Sequence, residues 1–328
     1  MKEILEYLFN HHTLSKSEAK AIMIEIAQNK FNTAEVTAFI TVFLMRNITL
    51  NELEGFRQAL LQMAVSVDID SSDALDIVGT GGDGKNTINI STLASFVIAG
   101  AGQKVTKHGN YGASAITGSS NVLEALGYQF KKTSEELNYD LENANICFLH
   151  APYFHPALQS VVALRKSLGL RTFFNLLGPL VNPVKPQFSV IGVYNLEIAR
   201  IYQYLLQKDD REFIIVHGLD GYDEISLTSD SKMITKNSEE IYSTKDLGFN
   251  TLLPESIQAG ETAYESAKIF RNILEGNGTF EQNAVVLANA AVALHHTDKF
   301  GTYEDCLLLA QESLESGKAL RSLNNLIR

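Results

Sequence analysis

Residues 76–110 read DIVGTGGDGKNTINISTLASFVIAGAGQKVTKHGN, and this stretch decides the fold. Its first part is an apolar strand that runs into Gly79, Gly81, Gly82 and Asp83. Glycines after a strand let the backbone turn sharply and approach a ligand closely, because no Cβ stands in the way. Asn89, Ser91 and Thr92 fall where the next helix should begin, so their side chains either cap that helix or donate to phosphate oxygens at its positive end. Leu93 to Ala101 is small and apolar, which suits a helix lying close on a sheet. The run Gln103 to Thr106 then predicts a second strand, followed by a strand-end loop Lys107-His108-Gly109-Asn110. Two such loops at the same edge of a parallel sheet converge on one crevice. The phosphate-loop pattern GxxxxGK[ST] is absent.

Working outward, strands and helices alternate from Leu75 onward: LDIV, 91–102, KVTKH, 119–127, ICFLHA, 156–168, then FSVIGVY, a helix near 196–207 and EFIIVHG. Such alternation predicts an α/β fold with a mostly parallel central sheet flanked by helices. Further helices are expected near 261–275, 281–296 and 303–317. Toward the N-terminus the pattern is helical only. Ser15 with Glu18, Asn32 with Glu35 and Thr49 with Glu52 have capping-box spacing, each ahead of a run with helical apolar periodicity. A small all-helical N-terminal domain over 1–66 is therefore expected, joined by the polar, acidic segment 67–74 to a large α/β domain over 74–328.

The chain has 328 residues and a formal net charge of -11, which argues against nucleic acid as the main partner. An anionic substrate then needs a locally basic or metal-loaded pocket. No apolar run reaches the roughly 18 residues of a membrane span. The opening MKEILEYLFNHH is acidic and amphipathic, unlike a signal or transit peptide, so a cytoplasmic enzyme is expected. Cys147 and Cys306 sit in apolar runs and read as buried reduced thiols.

Asp223 and Glu224, in HGLDGYDEISL, follow a strand and two glycines. Adjacent carboxylates there suit Mg²⁺, which binds through one or two carboxylates, retained waters and substrate phosphates; the other reading is a solvated acidic turn. Arg165 falls on a helix opened by Pro156. Its guanidinium either grips a planar carboxylate with two parallel hydrogen bonds or lies at the surface beside Lys166. His108 and His155 are candidate acids or bases, with His155 better suited to lining or supporting a pocket. His295 and His296 have no Cys or carboxylate at ligand spacing and read as structural.

Taken together, DIVGTGGD (76–83), TINIST (87–92), KHGN (107–110), GSSNVLEALG (118–127), HPAL with VVALRKSLGLRTFFNLLGPLVNP, and GYDEIS (221–226) resemble the anthranilate phosphoribosyltransferase family, of nucleoside-phosphorylase-like fold. The resemblance runs nearly end to end. It implies that the amine of anthranilate displaces diphosphate from C1 of 5-phosphoribosyl 1-diphosphate, in tryptophan biosynthesis. It further implies that Gly79, Gly82, Asp83, Thr87, Asn89, Ile90, Ser91, Thr92, Lys107, His108, Gly109 and Ser119 hold the phosphoribosyl diphosphate. Gly79, Asn110 and Arg165 would meet anthranilate, and Ser91, Asp223 and Glu224 would bind Mg²⁺. Lys107, Asp223, Glu224 and Arg165 are the groups expected to matter most for catalysis. The resemblance also implies a homodimer formed through the helical domain, with a return segment near 165–185 packing on that domain.

The chain departs from the family pattern beyond KHGN. An Arg and, five residues on, a Lys are usual there, and this chain has Tyr111 and Ile116; it also has Asn121 where an Asp is usual. Weaker diphosphate binding, or heavier dependence on Mg²⁺ and backbone N–H groups, is expected. The rival readings are a pyrimidine nucleoside phosphorylase of the same fold, which carries a KHSTGGVGD-like loop in place of VGTGGDG, and a nucleic-acid-binding paralogue, which the net charge of -11 disfavours.

Overall fold

The computed structural model describes residues 1–112 and 117–328; Ile116 lies outside the described residues. The chain forms two compact units, one of residues 1–66 with 151–183, the other of 67–150 with 184–328.

The first unit is helical. Helices α1 (Lys2–Phe9), α2 (Lys16–Ala27), α3 (Thr33–Met45) and α4 (Leu50–Met63) are followed, after the excursion through the other unit, by α8 (Ala151–Phe154) and α9 (Gln159–Leu168). All three expected capping boxes form, at Ser15–Glu18, Asn32–Glu35 and Thr49–Glu52. The rings of Phe39, Phe43 and Phe56 pack with Phe173 from the returning segment, and the Phe56–Phe173 pair is stacked at 4.7 Å. Aromatic burial of this kind, about 150–250 Å² per ring, is what binds the returning segment to the helices. The apolar run 36–45 is mostly core, at Val36, Phe39, Ile40, Val42 and Phe43, while Leu44 and Met45 at its end are exposed.

The second unit carries one seven-stranded sheet in the order β3-β2-β1-β4-β5-β6-β7. Strands β1 (Leu75–Gly79), β2 (Val105–Gly109), β3 (Ile146–His150), β4 (Phe188–Gly192) and β5 (Glu212–Gly218) are parallel. The last two strands, β6 (Ser231–Ile234) and β7 (Glu239–Tyr242) at the edge, are antiparallel. Both are only four residues long, too short for the sequence to carry a clear period-2 signal. Helix α5 (Ile90–Gly100) crosses from β1 to β2 and is buried along nearly its whole length, against the alanine-rich α12 (Phe280–His296). Helices α6 (Ser119–Ala125), α7 (Ser134–Ala144), α10 (Leu196–Leu206), α11 (Ala263–Asn272), α13 (Tyr303–Glu315) and α14 (Lys318–Leu326) complete the unit. Helices α7 and α14 go beyond what the sequence pattern predicts, although Thr133–Glu136 forms a capping box ahead of α7.

The chain order puts β2 and β3 on one side of β1 and β4 on the other, so the connections leaving β1 and β4 diverge between them. That is the topological switch point, where open parallel sheets bind ligands beyond the carboxyl ends of their strands. The strand-end residues Gly79 and Gly192 face each other there in register.

Candidate active site

The turn after β1 is built on Gly81, Gly82 and Gly84, at φ of 63°, 77° and 77°. These left-handed angles strain any residue with a Cβ. Gly79 and Gly192 have no such angle, and their need for glycine is a matter of space. A methyl on Gly79 would overlap the Oδ2 of Asp223, and one on Gly192 would overlap the carbonyl oxygen of Asp223. Asp223 therefore lies directly across the two strand ends, with Oδ2 accepting the Gly81 N–H at 2.6 Å.

Its neighbour Glu224 reaches the start of α5, where Oε1 accepts the Ser91 N–H at 2.9 Å. Asn89, the residue before that helix, makes no capping bond with its own side chain and instead directs Nδ2 to the Thr117 carbonyl at 3.4 Å. A carboxylate from 133 residues away thus takes the place of a local cap at the positive end of the helix. The loop that carries this pair is fixed from behind by Asn289 of α12. Its Oδ1 accepts the Ile225 N–H at 3.3 Å and its Nδ2 donates to the Ile225 carbonyl at 2.8 Å.

Three carboxyls share this corner. Burial, then the charge of Asp83, pushes the Asp223 carboxyl up. Burial, then the charge of Asp223, does the same to Glu224. Burial also raises Asp83, whose Oδ1 accepts the Lys85 N–H at 3.0 Å. Lys107 supplies opposing charge: it is fully buried, its Nζ donates to the Ile77 carbonyl at 2.5 Å, and it feels Asp76 and Glu224. Burial nonetheless lowers its pKa.

One expectation about this region needs correction. The strand KVTKH read from the alternation does reach Lys107 and His108, β2 runs on through Gly109, and of the expected loop 107–110 only Asn110 stands beyond the strand. The alternating strand pattern continues through Lys107 because a buried ammonium can occupy an inward position when a carbonyl and carboxylates receive it. His108 is buried, and its backbone N–H donates to Asp76 Oδ1 at 3.3 Å.

The remaining candidates divide by location. Gly79 ends β1, and Gly82, Asp83, Thr87, Asn89, Ile90, Ser91 and Thr92 fall on the turn after it and the start of α5, with Thr87 bridged to Gln258. The Ile90 and Thr92 side chains are buried, so Ile90 has only its backbone to offer a ligand. Ser119 opens α6 and donates from Oγ to the Asn110 carbonyl at 3.4 Å. Arg165 belongs to the helical unit, on α9, where Nη2 lies 3.5 Å from Asn175 Oδ1 and the guanidinium sits 5.3 Å from the Phe174 ring centroid. His155 is buried in that unit with Nε2 at 2.8 Å from the Val181 carbonyl. His295 lies against the Gly301 carbonyl, and both cysteines are free and buried. Gly192 and Asn289 carry no motif of their own, and only the folded loop reveals what they hold.

Mg²⁺ suits this donor set. Oxygen donors of Asp223, Glu224 and Ser91 are hard ligands, and buried like-charged carboxylates favour a cation between them. Among the described residues no three His, Cys, Asp or Glu side chains form a complete metal cage. A partial shell of this kind is what an ion that keeps its waters and shares substrate phosphates requires.

Comparison with known proteins gives the family. Residues 2–64 match the glycosyl transferase family helical bundle domain, and residues 71–320 match the glycosyl transferase family a/b domain. An anthranilate phosphoribosyltransferase of Flavobacterium johnsoniae is 51% identical over 326 residues, covering 99% of this chain and 98% of that one. The chain belongs to the anthranilate phosphoribosyltransferase family. A member from Cytophaga hutchinsonii is 48% identical over 328 residues, covering 100% of both chains. Among solved structures, the family member from Thermus thermophilus superposes with a TM-score of 0.90 at 29% identity, covering 98% of each chain. The one from Saccharomyces cerevisiae, in complex with PRPP and Mg, gives 0.90 at 28% identity, over 98% of this chain and 95% of that one. Among the described residues no helix is long and apolar enough to cross a membrane.

Proposed function

We propose that this chain transfers the phosphoribosyl group of 5-phospho-α-D-ribose 1-diphosphate to anthranilate, giving N-(5-phosphoribosyl)anthranilate and diphosphate in tryptophan biosynthesis. The observation that carries the reading is the pairing of end-to-end relatives at about half identity with an acidic, glycine-floored crevice at the switch point of the sheet. In the reaction the C1–O bond to diphosphate breaks, the anthranilate nitrogen forms the new bond to C1, and the nitrogen loses a proton. An aromatic amine is unprotonated at neutral pH, so positioning matters more than a strong base.

The residues divide this work. The turn from Gly79 to Asp83, whose Thr80 and Gly81 N–H groups are already taken by the Gly192 carbonyl and Asp223, cradles phosphate oxygens together with Thr87, Asn89, Ser91 and Thr92 at the positive end of α5. Ser119 at the start of α6, with His108 and Gly109 at the end of β2, adds to that cradle. Lys107 acts through its field from within the sheet, since its ammonium is committed to the Ile77 carbonyl. Gly79 and Asn110 receive anthranilate, and Arg165 pairs with its carboxylate. Asp223, Glu224 and Ser91 hold Mg²⁺, which neutralises the departing diphosphate when bound. The chain acts in the cytoplasm as a homodimer joined through the helical unit, where Tyr7, Phe9, Leu44 and Met45 are exposed.

Mixing the protein with the ribosyl diphosphate, Mg²⁺ and anthranilate should extinguish anthranilate fluorescence. No turnover, together with phosphorolysis of uridine or thymidine, would replace this reading with the phosphorylase. Arg165→Ala should raise the KM for anthranilate far more than that for the diphosphate. Sedimentation at a monomer mass would remove the dimer.

A further inference from the structure

Beyond β2 the described chain runs through Asn110–Gly112 and resumes at Thr117–Gly118, ahead of α6. The two arms meet at a single side-chain atom. Gly112 N–H and Gly118 N–H both donate to Asn121 Oδ1, each at 2.9 Å. A carbonyl oxygen has two lone pairs, and here both are taken. The arms are packed tightly enough that a methyl on Gly118 would overlap the Gly112 nitrogen.

The same contact zone fixes Asn110. Its carbonyl accepts the Ser120 N–H at 3.2 Å and the Ser119 hydroxyl at 3.4 Å. Its own Oδ1 accepts the Tyr111 N–H at 2.8 Å, which orients the amide so that its Nδ2 is the end turned away from that bond. Tyr111 braces the outer side. Its hydroxyl donates to Glu124 at 3.3 Å, and its ring meets His150 edge-on at 5.0 Å, where His150 is stacked on Phe130 at 4.0 Å.

We propose that Asn121 is a positioning residue for the transfer reaction. By tying Gly112 to Gly118 it sets the relative placement of Asn110 and Ser119, and it does so without bringing charge to a turn that handles an anionic substrate. The inference rests on the reading above, in which Asn110 meets anthranilate and Ser119 the phosphoribosyl diphosphate. A carboxylate at 121 would make the same two bonds, but would set a full negative charge beside the diphosphate. A leucine would match the size and accept nothing. Geometry and charge are thus separable by substitution.

The test compares wild type, Asn121→Leu and Asn121→Asp in the full chain, by steady-state kinetics for both substrates and by amide hydrogen exchange at Gly112 and Gly118. Asn121→Leu should lose protection at both amides and raise both KM values about tenfold, the size of one or two lost hydrogen bonds. Asn121→Asp should keep the protection and a wild-type KM for anthranilate. Its KM for the ribosyl diphosphate should rise about threefold, by an amount that shrinks with added salt. A folded Asn121→Leu with wild-type KM values would overturn the proposal, as would equal damage to the anthranilate KM in both variants. If Asn121→Leu does not fold, rapid exchange of both amides in the wild-type chain would still sink it. Failure of the underlying reading looks different: Asn110→Ala and Ser119→Ala would leave both KM values unchanged while Asn121→Leu raised them.

Discussion

Glu52 of the helical unit and Glu224 of the α/β unit both accept backbone N–H groups at the start of a helix, yet their surroundings are opposite. Glu52 is completely buried and accepts from Leu14 N at 3.0 Å, Thr49 N at 2.9 Å and both terminal nitrogens of Arg46 at 2.5 and 3.0 Å. Burial opposes its ionisation, but Arg46 and these N–H groups together hold the carboxyl below the usual range. Glu224 accepts from Ser91 N, and burial, then the charge of Asp223, pushes its carboxyl up. One carboxylate is satisfied by the protein itself. The other is left short of positive charge, which is the condition for recruiting a cation.

The most direct challenge to this contrast is to remove each carboxylate's charge. Glu224→Gln and Asp223→Asn should each lower kcat/KM by about 10³, the scale of a lost electrostatic stabiliser at the reacting centre. Both should leave the thermal midpoint unchanged or higher, since a like-charge repulsion is relieved. A large fall in midpoint would place them among structural residues. Glu52→Ala should do the reverse, costing about 3 kcal/mol of stability by orphaning the partner arginine, while the folded fraction turns over normally. Denaturant titration with active-site counting would check it.

Asn289→Ala should fall between the two. It strands the Ile225 N–H and carbonyl, costing about 2 kcal/mol, and because that loop carries Asp223 and Glu224 it should also raise the Mg²⁺ concentration needed for half-maximal rate. An unchanged Mg²⁺ requirement would confine Asn289 to the scaffold.

The smallest effect is in pH dependence, where the two units again differ in sign. Glu52 has a lowered folded pKa, so its contribution is present above the unfolded value of 4.5 and is lost as pH falls through the folded value. Asp140, hydrogen-bonded by Tyr128 at 2.8 Å, is raised by burial to about 6. Its contribution is complete below 3.8 and is lost as pH rises through about 6. Relative to wild type, Asp140→Asn should therefore be more stable at pH 8 than at pH 4, by about 1 kcal/mol. Equal differences at both pH values would contradict the buried setting of Asp140.

The elements with strong local signals are legible in the amino-acid order. The capping boxes of α2, α3 and α4, the apolar α5 and the five parallel strands each carry a signal within a few residues, which periodicity and spacing report directly. The four-residue strands β6 and β7 have no such signal. The strand end at Lys107–Gly109 resembles a loop in sequence because a buried lysine looks polar until its partner, the Ile77 carbonyl of the neighbouring strand, is known.

Residue order alone dictates the glycine turn at 79–84, the acidic pair 223–224 and the alternation that makes a parallel sheet, because backbone freedom, charge and hydrophobic period are properties of residues in succession. Folding in three dimensions is what puts Gly192 beside Gly79 under Asp223, sets Glu224 at the start of α5, and lets Asn121 close the turn beyond β2. Two of the contacts at this site join residues more than 100 positions apart, at Gly81–Asp223 and Ser91–Glu224. Excluded volume and hydrogen-bond geometry between distant segments arise only when the sheet brings the strand ends together.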